Sequence, residues 1–353
     1  RIRIKAFIPT YKMTEQFCIT TDHRHPHCHA SSICELPDGD FLACCFAGFP
    51  PEGSPDQVII GSRFSSASNS WKEAEVWVNV PHRASGNPRI FLSPSGTETW
   101  LVVPITYGVW CGTDTYLFLK RSYDYGRSWQ DLELLTVEKG LNGKNKPLIK
   151  NECILLPVEE VATWKPRFLR SEDGGETWTT IKVPEAEPLV RVIQPSVVEL
   201  SDGTLLAYMR SQEQYIYRTY SKDGGATWSA PEPTQLPNNN SGIDMTRLAS
   251  GNIALVYNPT NLSNNRELIN SALPIDQMPG FSTWGPRTPL SISLSTNEGE
   301  TWNHTLDLEK GRGFFSYPAI IQSHDGTIHV TYTHQRTAIK HVVLTEDEVL
   351  NHS

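Results

Sequence analysis

The sequence lacks three features: a long apolar run, sustained helical periodicity and any Cys-x-x-Cys pair. No stretch approaches the roughly 20 consecutive apolar residues of a membrane-spanning helix, so we expect no transmembrane helix and no membrane partner. The scarcity of apolar residues at helical spacing argues against an architecture of packed helices. We also expect no metal and no cofactor.

An excess of basic residues is also missing. The 353 residues include 31 Lys and Arg against 39 Asp and Glu, which gives a net charge of −8 and an isoelectric point near 5.8. Broad nucleic-acid binding needs a basic face, so no nucleic-acid partner is expected. An anionic small substrate is still compatible with this balance, because a pocket can be basic inside an acidic shell.

Disulfide pairing and cellular compartment are only weakly specified. The seven cysteines form an odd set, so at least one thiol is unpaired; buried free thiols and one or two disulfides both stay open. No signal peptide is visible and the chain begins at Arg1, so we expect a processed or truncated start. N-x-S/T sequons favour secretion over the cytoplasm; they lie at Asn239, Asn261, Asn303 and Asn351.

An eight-residue frame, S-x-D-x-G-x-x-W, recurs along the chain. Three copies occupy residues 122–129, 171–178 and 221–228, and a fourth at 295–302 carries Asn in place of Asp. In such a loop the Asp or Asn side chain accepts from nearby backbone N–H groups and Gly supplies a positive φ. The Trp ring then packs over the adjoining sheet. These loops are therefore predicted to stabilise the fold, away from any active site.

Short strand-like runs between turn residues organise the rest of the chain into six similar units. Units that cannot bury both faces alone predict an all-β, six-bladed β-propeller of four-stranded antiparallel blades. The chain is interpreted as one domain, 1–353, in which an N-terminal strand at residues 1–8 closes the last blade. An insertion around 262–286 enlarges the fifth unit. A sandwich with a second domain is disfavoured, because the repeats are evenly spaced and no linker divides the chain.

The repeated frame resembles the Asp-box of the sialidase-like superfamily, and the chain resembles its BNR-repeat proteins from about residue 25 to 345. Other segments that carry the resemblance are 28–32, 35–40, 144–147, 193–196, 240–244 and 316–319. The resemblance implies a propeller. It specifies the reaction weakly, because such propellers also serve as lectins and lyases.

The resemblance to a sialidase also implies roles for particular residues. Asp56 matches the acid/base, and Tyr317 matches the nucleophile. Arg210 and Arg287 match two of the three arginines that bind the substrate carboxylate.

Two positions depart from the sialidase pattern. His29 stands where the first arginine is expected, and Gln194 stands where a glutamate supports the nucleophile. Tyrosine is a poor nucleophile unless a base takes its proton, and a glutamine cannot do so. His29 is therefore the candidate proton acceptor, since neutral imidazole accepts a proton near neutral pH.

The propeller geometry supports a common pocket independently of the resemblance. The innermost strands begin near the axis, so their first residues should converge; these are His29, Asn87, Lys146, Gln194, Asp244 and Tyr317. Two guanidinium groups at one site suit a carboxylate, through bidentate charge-assisted bonds. An anionic sugar or oligosaccharide is the expected ligand.

Each candidate also has a structural explanation. Arg210, Arg287 and Lys146 would brace adjacent blades, Tyr317 and His29 would be packed core side chains, and Asp56 would be an exposed turn acid. The alternating histidines at 23, 25, 27 and 29 suggest a metal site, but Pro26 interrupts the run. Trp110, Tyr107 and Trp164 are candidates for a sugar-stacking wall or for ordinary packing.

Three functions follow from these patterns. We expect first an exo-acting glycoside hydrolase that cleaves a terminal acidic sugar. A polysaccharide lyase that acts by β-elimination beside a uronate is the second, since that reaction would not need the missing glutamate. A non-catalytic carbohydrate-binding propeller is the third. The protein is expected to be a monomer or a weak oligomer.

Overall fold

The computed structural model describes residues 12–261 and 287–352, and its architecture is all-β. The chain opens with β1 (Thr14–Thr20). Blade 1 contains β2 (His27–Glu35), β3 (Phe41–Gly48), β4 (Val58–Ser65), β5 (Ser70–Trp71) and β6 (Glu75–Val78). Blade 2 contains β7 (Ala84–Ser85), β8 (Arg89–Leu92), β9 (Thr99–Thr106), β10 (Thr115–Ser122) and β11 (Glu133–Lys139).

The remaining blades follow the same order. Blade 3 contains β12 (Leu141–Asn142), β13 (Leu148–Lys150), β14 (Cys153–Glu160), β15 (Lys165–Ser171) and β16 (Thr179–Lys182). Blade 4 contains β17 (Val192–Glu199), β18 (Leu205–Ser211), β19 (Tyr215–Ser221) and β20 (Glu232–Pro237). Blade 5 contains β21 (Asp244–Arg247), β22 (Ile253–Tyr257), β23 (Leu290–Ser295) and β24 (His304–Glu309). Blade 6 contains β25 (Phe315–Gln322), β26 (Ile328–His334) and β27 (Ala338–Leu344).

The six antiparallel sheets confirm the predicted six-bladed propeller. In blades 1, 2 and 3 one of the four strand positions is divided between two short strands, which pair with the same neighbour. One difference from the sequence prediction lies in blade 3, where a strand was expected at 146–149. The strand instead begins at Leu148, and residues 143–147 connect β12 to β13.

Strand β1 completes the last blade. It pairs antiparallel with β27, from Thr14 opposite Val343 to Thr20 opposite Ala338. The strand predicted at 1–8 and the insertion predicted around 262–286 lie outside the described residues. A short helix, α1 (Glu346–Leu350), follows β27 and is capped by Thr345. Across the described ranges, no helix has the length and apolar character to cross a membrane.

The repeated loops are held by the Asp and Ser of the frame. In the second copy, Asp173 accepts from the Thr177 amide at 2.9 Å and from the Thr177 hydroxyl at 2.5 Å. Ser171 donates to Asp173 and accepts from the Gly175 amide, both at 2.8 Å. These hydrogen bonds, chiefly that of the Thr177 hydroxyl, lower the pKa of Asp173 to about 2. The loop is thus closed by its own side chains.

The tryptophans of these loops reach the preceding blade. Ring contacts join Trp129 to Trp77 at 5.2 Å, Trp228 to Phe168 at 4.3 Å and Trp302 to Tyr208 at 5.8 Å between centroids. Buried clusters accordingly extend across blade junctions, as where residues of blades 5 and 6 share one cluster. In blades 2, 4 and 5 the frame therefore joins the blade to its predecessor as well as closing a hairpin.

Three of the innermost strands carry the same irregularity near the axis. The pairing register shifts between His29 and Ser32 in β2, between Ile193 and Ser196 in β17, and between Ser316 and Ala319 in β25. Within each shift one residue has a positive φ; these are Ala30 at 61°, Gln194 at 59° and Tyr317 at 54°. A bulge of this kind changes the direction of a side chain, and non-glycine residues adopt such a φ at an energetic cost. The bulges place His29, Gln194 and Tyr317 together.

All seven cysteines are free thiols in this structure. Five of them are buried, and burial raises the pKa of the Cys18 and Cys34 thiols, the latter to about 12. The sequons at Asn239 and Asn261 are buried, whereas Asn303 and Asn351 are exposed. The side chains of the first two sequons are therefore inaccessible in the folded chain.

Candidate active site

The hydroxyl of Tyr317 is the centre of the candidate site. Arg210 Nη1 donates to Tyr317 Oη, and Gln194 Nε2 lies 3.4 Å from the same oxygen. Arg210 Nη1 also donates to Gln194 Oε1 at 3.3 Å. Because a guanidinium only donates, the glutamine must present its oxygen to Arg210 and its amide N–H to Tyr317. Tyr317 Oη is consequently the acceptor from two donors, an arrangement that stabilises a phenolate.

His29 stacks against Tyr317 and does not hydrogen-bond to it. The two ring centroids lie 4.1 Å apart at 45°, and His29 Nδ1 lies 2.8 Å from the Thr333 hydroxyl. The imidazole is 3% exposed. Burial, and then the charges of Arg336, Arg287, Arg210 and Lys144, hold the pKa of His29 well below its usual value. His29 is therefore neutral at physiological pH.

Arg287 also lies against Tyr317. Its guanidinium carbon is 5.8 Å from the Tyr317 ring centroid, and its N–H groups donate to the Ser241 hydroxyl and, at 3.2 Å, to the Asn240 carbonyl. Burial, followed by the charge of Arg210, lowers the pKa of Arg287 to about 9. The structure thus brings together His29, Gln194, Arg210, Arg287 and Tyr317, which we call the Tyr317 site.

Two further cations adjoin the Tyr317 site, and neither was among the predicted residues. Lys144 is 3% exposed, and its Nζ donates to the carbonyl of Pro318, to Asn145 Oδ1 at 2.8 Å and to the Ile243 carbonyl at 3.1 Å. Burial lowers the pKa of Lys144 to about 7, while the three acceptors favour its charged form. Lys144 therefore ties blade 3 to blades 5 and 6 beneath Tyr317.

Arg336 enters the site from the hairpin between β26 and β27. Its guanidinium carbon lies 4.9 Å from the centroid of the Phe314 ring, and that of Arg287 lies 5.7 Å from the same centroid. Arg336 also forms an ion pair with Glu52, on the loop between β3 and β4. This pair connects blade 6 to blade 1 at the edge of the site.

Several predicted site residues lie outside this cluster. Asp56 is exposed, and its carboxylate accepts from the Phe49 amide at 2.9 Å, on the same loop as Glu52. Lys146 and Asp244 form an ion pair with each other at 2.9 Å. Asp244 also accepts from the Ser196 hydroxyl and the Ile320 amide, so this pair braces blades 3 to 6. Asn87 is half-buried between β7 and β8.

The aromatic residues considered for a sugar-stacking wall lie in different places. Trp164 packs on Arg210, 5.3 Å from its guanidinium carbon. Trp110 lies 6.2 Å from Phe46, whose ring is 5.7 Å from that of His29. Tyr107 is 43% exposed and contacts Arg83. Trp164 is thus the member of this set in direct contact with the Tyr317 site.

The alternating histidines do not form a cluster with other ligands. Throughout residues 12–261 and 287–352, no three His, Cys, Asp or Glu side chains are arranged to hold a metal ion. His25 lies near Asp22, at 3.6 Å, whereas His29 points into the Tyr317 site. Alternate positions on one strand therefore do not share one environment here.

The Tyr317 site defines the chemistry that it can perform. Two buried guanidinium groups, with Lys144 and Arg336 beside them, create a strongly positive environment around one tyrosine hydroxyl and one neutral imidazole. Such a site suits an anionic ligand that carries several hydroxyl groups. Its tyrosine can act as a nucleophile or as a proton donor and acceptor.

Comparison with known families identifies the class of the chain. The family model of the BNR repeat-like domain matches residues 39–330, and the chain therefore belongs to this family. Sequence similarity extends to the anhydrosialidase of Macrobdella decora, with 27% identity over 245 residues, or 62% of this chain. The chain spans 29% of the length of that relative.

Solved structures share the fold. A leech intramolecular trans-sialidase complexed with 2,7-anhydro-Neu5Ac aligns with a TM-score of 0.75 and 13% identity, covering 98% of this chain and 72% of its own. The intramolecular trans-sialidase of Ruminococcus gnavus aligns with a TM-score of 0.69 and 14% identity, covering 92% and 95%. At these identities the similarity shows the sialidase-like fold alone.

Proposed function

We propose that this protein is an exo-acting glycoside hydrolase of sialidase-like type that cleaves a terminal acidic sugar from a glycan. The observation that carries the proposal is the contact of Arg210 with Tyr317 Oη, beside the buried guanidinium of Arg287. A sugar carboxylate placed between the two arginines would bring its anomeric carbon next to the Tyr317 oxygen.

The chemistry assigns a role to each group in the Tyr317 site. Arg210 and Gln194 stabilise the Tyr317 phenolate, which attacks the anomeric carbon as the glycosidic bond breaks. Gln194 cannot take the phenolic proton, so Tyr317 must release that proton to solvent before the attack, and the step depends on the hydrogen bonds that lower the free energy of the phenolate. His29, held neutral, packs against the ring and fixes its position.

The general acid is proposed to come from the loop between β3 and β4. Asp56 is the residue that the resemblance assigns, and Glu52 lies on the same loop in an ion pair with Arg336. An acid is needed to protonate the leaving oxygen. We propose Asp56 as that acid. The Asp56→Asn and Glu52→Gln variants compare the two carboxylates. The variant that lacks the general acid should lose most activity on substrates with a poor leaving group, because that oxygen must be protonated as it departs.

The relatives suggest which acidic sugar to test first. The names of the relatives include anhydrosialidase and intramolecular trans-sialidase. We therefore propose sialic acid at a glycan terminus as the leading substrate. His29 in place of the expected first arginine makes uronates and other carboxylated sugars the next candidates.

A lyase is the second candidate, and one observation favours it. Tyr317 contacts no carboxylate in the described part of the chain, but it lies against neutral His29 and is surrounded by cations. Beta-elimination at a uronate needs a neutralised carboxylate and a proton-transfer pair, which Arg210, Arg287 and Tyr317 with His29 would supply.

One assay separates these functions. The protein is incubated with sialosides and with uronate oligosaccharides, while released sugar is analysed by mass spectrometry and unsaturated uronate by its absorbance. Released sialic acid supports the proposed hydrolase, whereas release of its anhydro form would show intramolecular transfer in place of hydrolysis; new absorbance supports the lyase. Binding without turnover would contradict both enzymes and favour a carbohydrate-binding propeller.

The Tyr317→Phe variant links the activity to the site. Loss of the hydroxyl should reduce turnover by at least about 1000-fold, because the variant has neither nucleophile nor proton carrier. Tyr215→Phe, a change at a tyrosine that is 40% exposed, is the matched control and should keep full activity. Full activity in Tyr317→Phe would reject the site.

A further inference from the structure

Glu159 is a buried carboxyl group that the Tyr317 site does not explain. It lies near the end of β14 and is 1% exposed. Among the described acidic residues one other is buried, Asp244, and that carboxylate accepts from Lys146, Ser196 and Ile320. Neither oxygen of Glu159 has a hydrogen-bond partner among the residues that the structure describes. Such a group is expensive to bury as an anion, so its surroundings must determine its charge.

The immediate neighbours of Glu159 are also polar and incompletely paired. Asn142 stands opposite it in the pairing of β12 with β14, and Asn142 Nδ2 has no partner. Arg89 is fully buried and donates from Nη1 to the Pro157 carbonyl at 2.9 Å, while its Nε and Nη2 have no partner. We call Arg89, Asn142 and Glu159 the buried polar cluster.

Gly143 allows this cluster to form beside the axis. A Cβ atom at Gly143 would lie 2.1 Å from Arg89 Nη1 and 2.9 Å from the Pro157 carbonyl oxygen. No side chain fits there, so the backbone between Asn142 and Lys144 passes directly over the guanidinium group. Lys144, one residue further on, is the cation beneath Tyr317. The backbone thus links the buried polar cluster to the Tyr317 site.

The charged groups around Glu159 come from several elements. Arg89 on β8, Arg210 on β18 and Lys144 after β12 lie close enough for their positive charges to favour the carboxylate. Cys111, on the loop between β9 and β10, is the other titratable group whose charge interacts with Glu159. Burial opposes the three cations, and the balance raises the pKa of Glu159 to about 7.

We propose that Glu159 is a positioning residue that sets the anion affinity of the Tyr317 site by balancing the charge of Arg210. When Glu159 is protonated, Arg210 and Lys144 present their full charge to a substrate carboxylate. When Glu159 is ionised, it partly neutralises them and substrate binds less tightly. This role rests on the proposed function, because it assigns the site an anionic ligand.

The first experiment tests the titration of Glu159 without any ligand. Thermal and denaturant unfolding are measured from pH 4.5 to 9 for the wild type and for Glu159→Gln. The folded wild type keeps a proton that the unfolded chain has lost between pH 4.5 and about 7. Its folded-to-unfolded ratio should therefore fall relative to the variant, by about tenfold per pH unit, and level off above pH 7.

Glu160→Gln is the matched control for this comparison. Glu160 is the next residue of β14, but its side chain is 30% exposed and pairs with Arg167 at 3.0 Å. The stability difference between this control and the wild type should not follow the same pH course. A constant difference between Glu159→Gln and the wild type over pH 4.5–7 would overturn the proposal, since Glu159 would then not titrate in that range.

The second experiment tests the coupling to the Tyr317 site. Binding of N-acetylneuraminic acid and of glucuronic acid is measured by calorimetry at pH 5.5 to 8.5, with the methyl ester of each sugar as the uncharged control. Wild-type affinity for the acids should fall by on the order of tenfold as pH rises through 7, and the esters should show no such fall. In Glu159→Gln this fall should become smaller, because Lys144, with a pKa of about 7, would still lose its charge but residue 159 would gain none; an unchanged fall would overturn the positioning role.

The two experiments distinguish failure of this proposal from failure of the proposed function. Should neither acid bind the wild type, the proposed anionic sugar site is contradicted, while the unfolding curves still decide whether Glu159 titrates. Coupling to Arg210 is then measured by a stability cycle with Arg210→Gln, which removes the charge, and the double variant across the same pH range. Additive changes at every pH would overturn the coupling.

Discussion

Tyr317 and Gln194 are two residues whose backbone conformation and hydrogen bonds determine the reactivity of the Tyr317 hydroxyl. Both have a positive φ within a bulge of an innermost strand, and both point to the same guanidinium group. A tyrosine that accepts from a guanidinium and an amide has its phenolate stabilised without a base. The departure from the sialidase pattern at Gln194 is therefore compatible with a reactive tyrosine, although the route of its proton must differ.

The variant Gln194→Glu tests that interpretation. A carboxylate at this position would accept the phenolic proton and pair with Arg210, so the hydrolase should keep its turnover or gain up to about tenfold. The added negative charge should also weaken binding of the substrate carboxylate, which raises KM. Steady-state kinetics on the best sialoside or uronate measure both effects.

Gln194→Ala provides the comparison for this variant, because it removes the amide without adding a charge. If Gln194→Glu loses as much turnover as Gln194→Ala, the side chain at this position does not assist Tyr317 through proton transfer. A gain of turnover in the glutamate variant without any change in KM would contradict the placement of the substrate carboxylate beside Arg210.

The repeated loops act at the scale of the blade. The glycine at the fifth position of each frame has a positive φ, and a Cβ atom there would crowd the preceding blade. Gly175, with φ 96°, would place a Cβ 2.5 Å from the Trp100 ring of blade 2, and Gly225, with φ 87°, would place one 2.9 Å from Leu155 of blade 3. The glycine is thus required by the turn and by the blade junction together.

Gly175→Ala should therefore destabilise the protein by more than the backbone effect alone. An alanine at positive φ costs about 1–2 kcal/mol, and displacement of Trp100 adds overpacking of about 1–3 kcal/mol. Gly326→Ala is the control, because Gly326 has φ 88° and open space around its Cβ position. Denaturant unfolding should give a larger loss for Gly175→Ala; equal losses would show that the close approach to Trp100 is not important.

The elements also explain how far the sequence could predict the site. The strand-like runs predicted the number of blades, and the resemblance pointed to Arg210, Arg287 and Tyr317, which the structure places together. Lys144 was missed because it lies two residues before the predicted strand start at Lys146, in the segment that connects β12 to β13. Arg336 lies in a hairpin turn and Glu159 near the end of a second strand. No local sequence pattern marks such positions, since only the packing of the blades against one another brings them near the Tyr317 site.

At the scale of the whole molecule, the ring closes between blade 6 and blade 1. Trp71 Nε1 donates to His341 Nδ1 at 3.2 Å, His341 Nε2 lies 3.0 Å from His329 Nδ1, and His329 Nε2 lies 2.9 Å from the Thr327 hydroxyl. Tryptophan only donates, so Nδ1 of each histidine must accept and Nε2 must carry the hydrogen. This chain of hydrogen bonds therefore requires both imidazoles to be neutral.

Acid should lower the free energy of unfolding at pH values where His329 and His341 of the folded protein are still neutral. Burial lowers the pKa of His329 to about 4 and, with repulsion from His329, that of His341 to about 3. The unfolded chain binds these protons below pH 6.5. The contribution of the two histidines to the free energy of unfolding is therefore fully present above that pH and is lost as the pH drops towards 4. Each histidine that stays neutral in the folded protein lowers the free energy of unfolding by about 1.4 kcal/mol for every pH unit below 6.5.

The double variant His329→Gln/His341→Gln measures this contribution. At pH 7.5 it should be less stable than the wild type, because the hydrogen-bond chain and the stacking of His329 on Phe41 at 4.2 Å are lost. The difference should shrink steadily as the pH falls from 6.5 to 4, since the variant lacks both titrating groups. Denaturant unfolding at half-unit pH steps provides the free energies, and His324→Gln is the control because its side chain is 90% exposed. A difference that is the same at pH 7.5 and pH 4.5 would show that the closing junction does not sense acid through these two histidines.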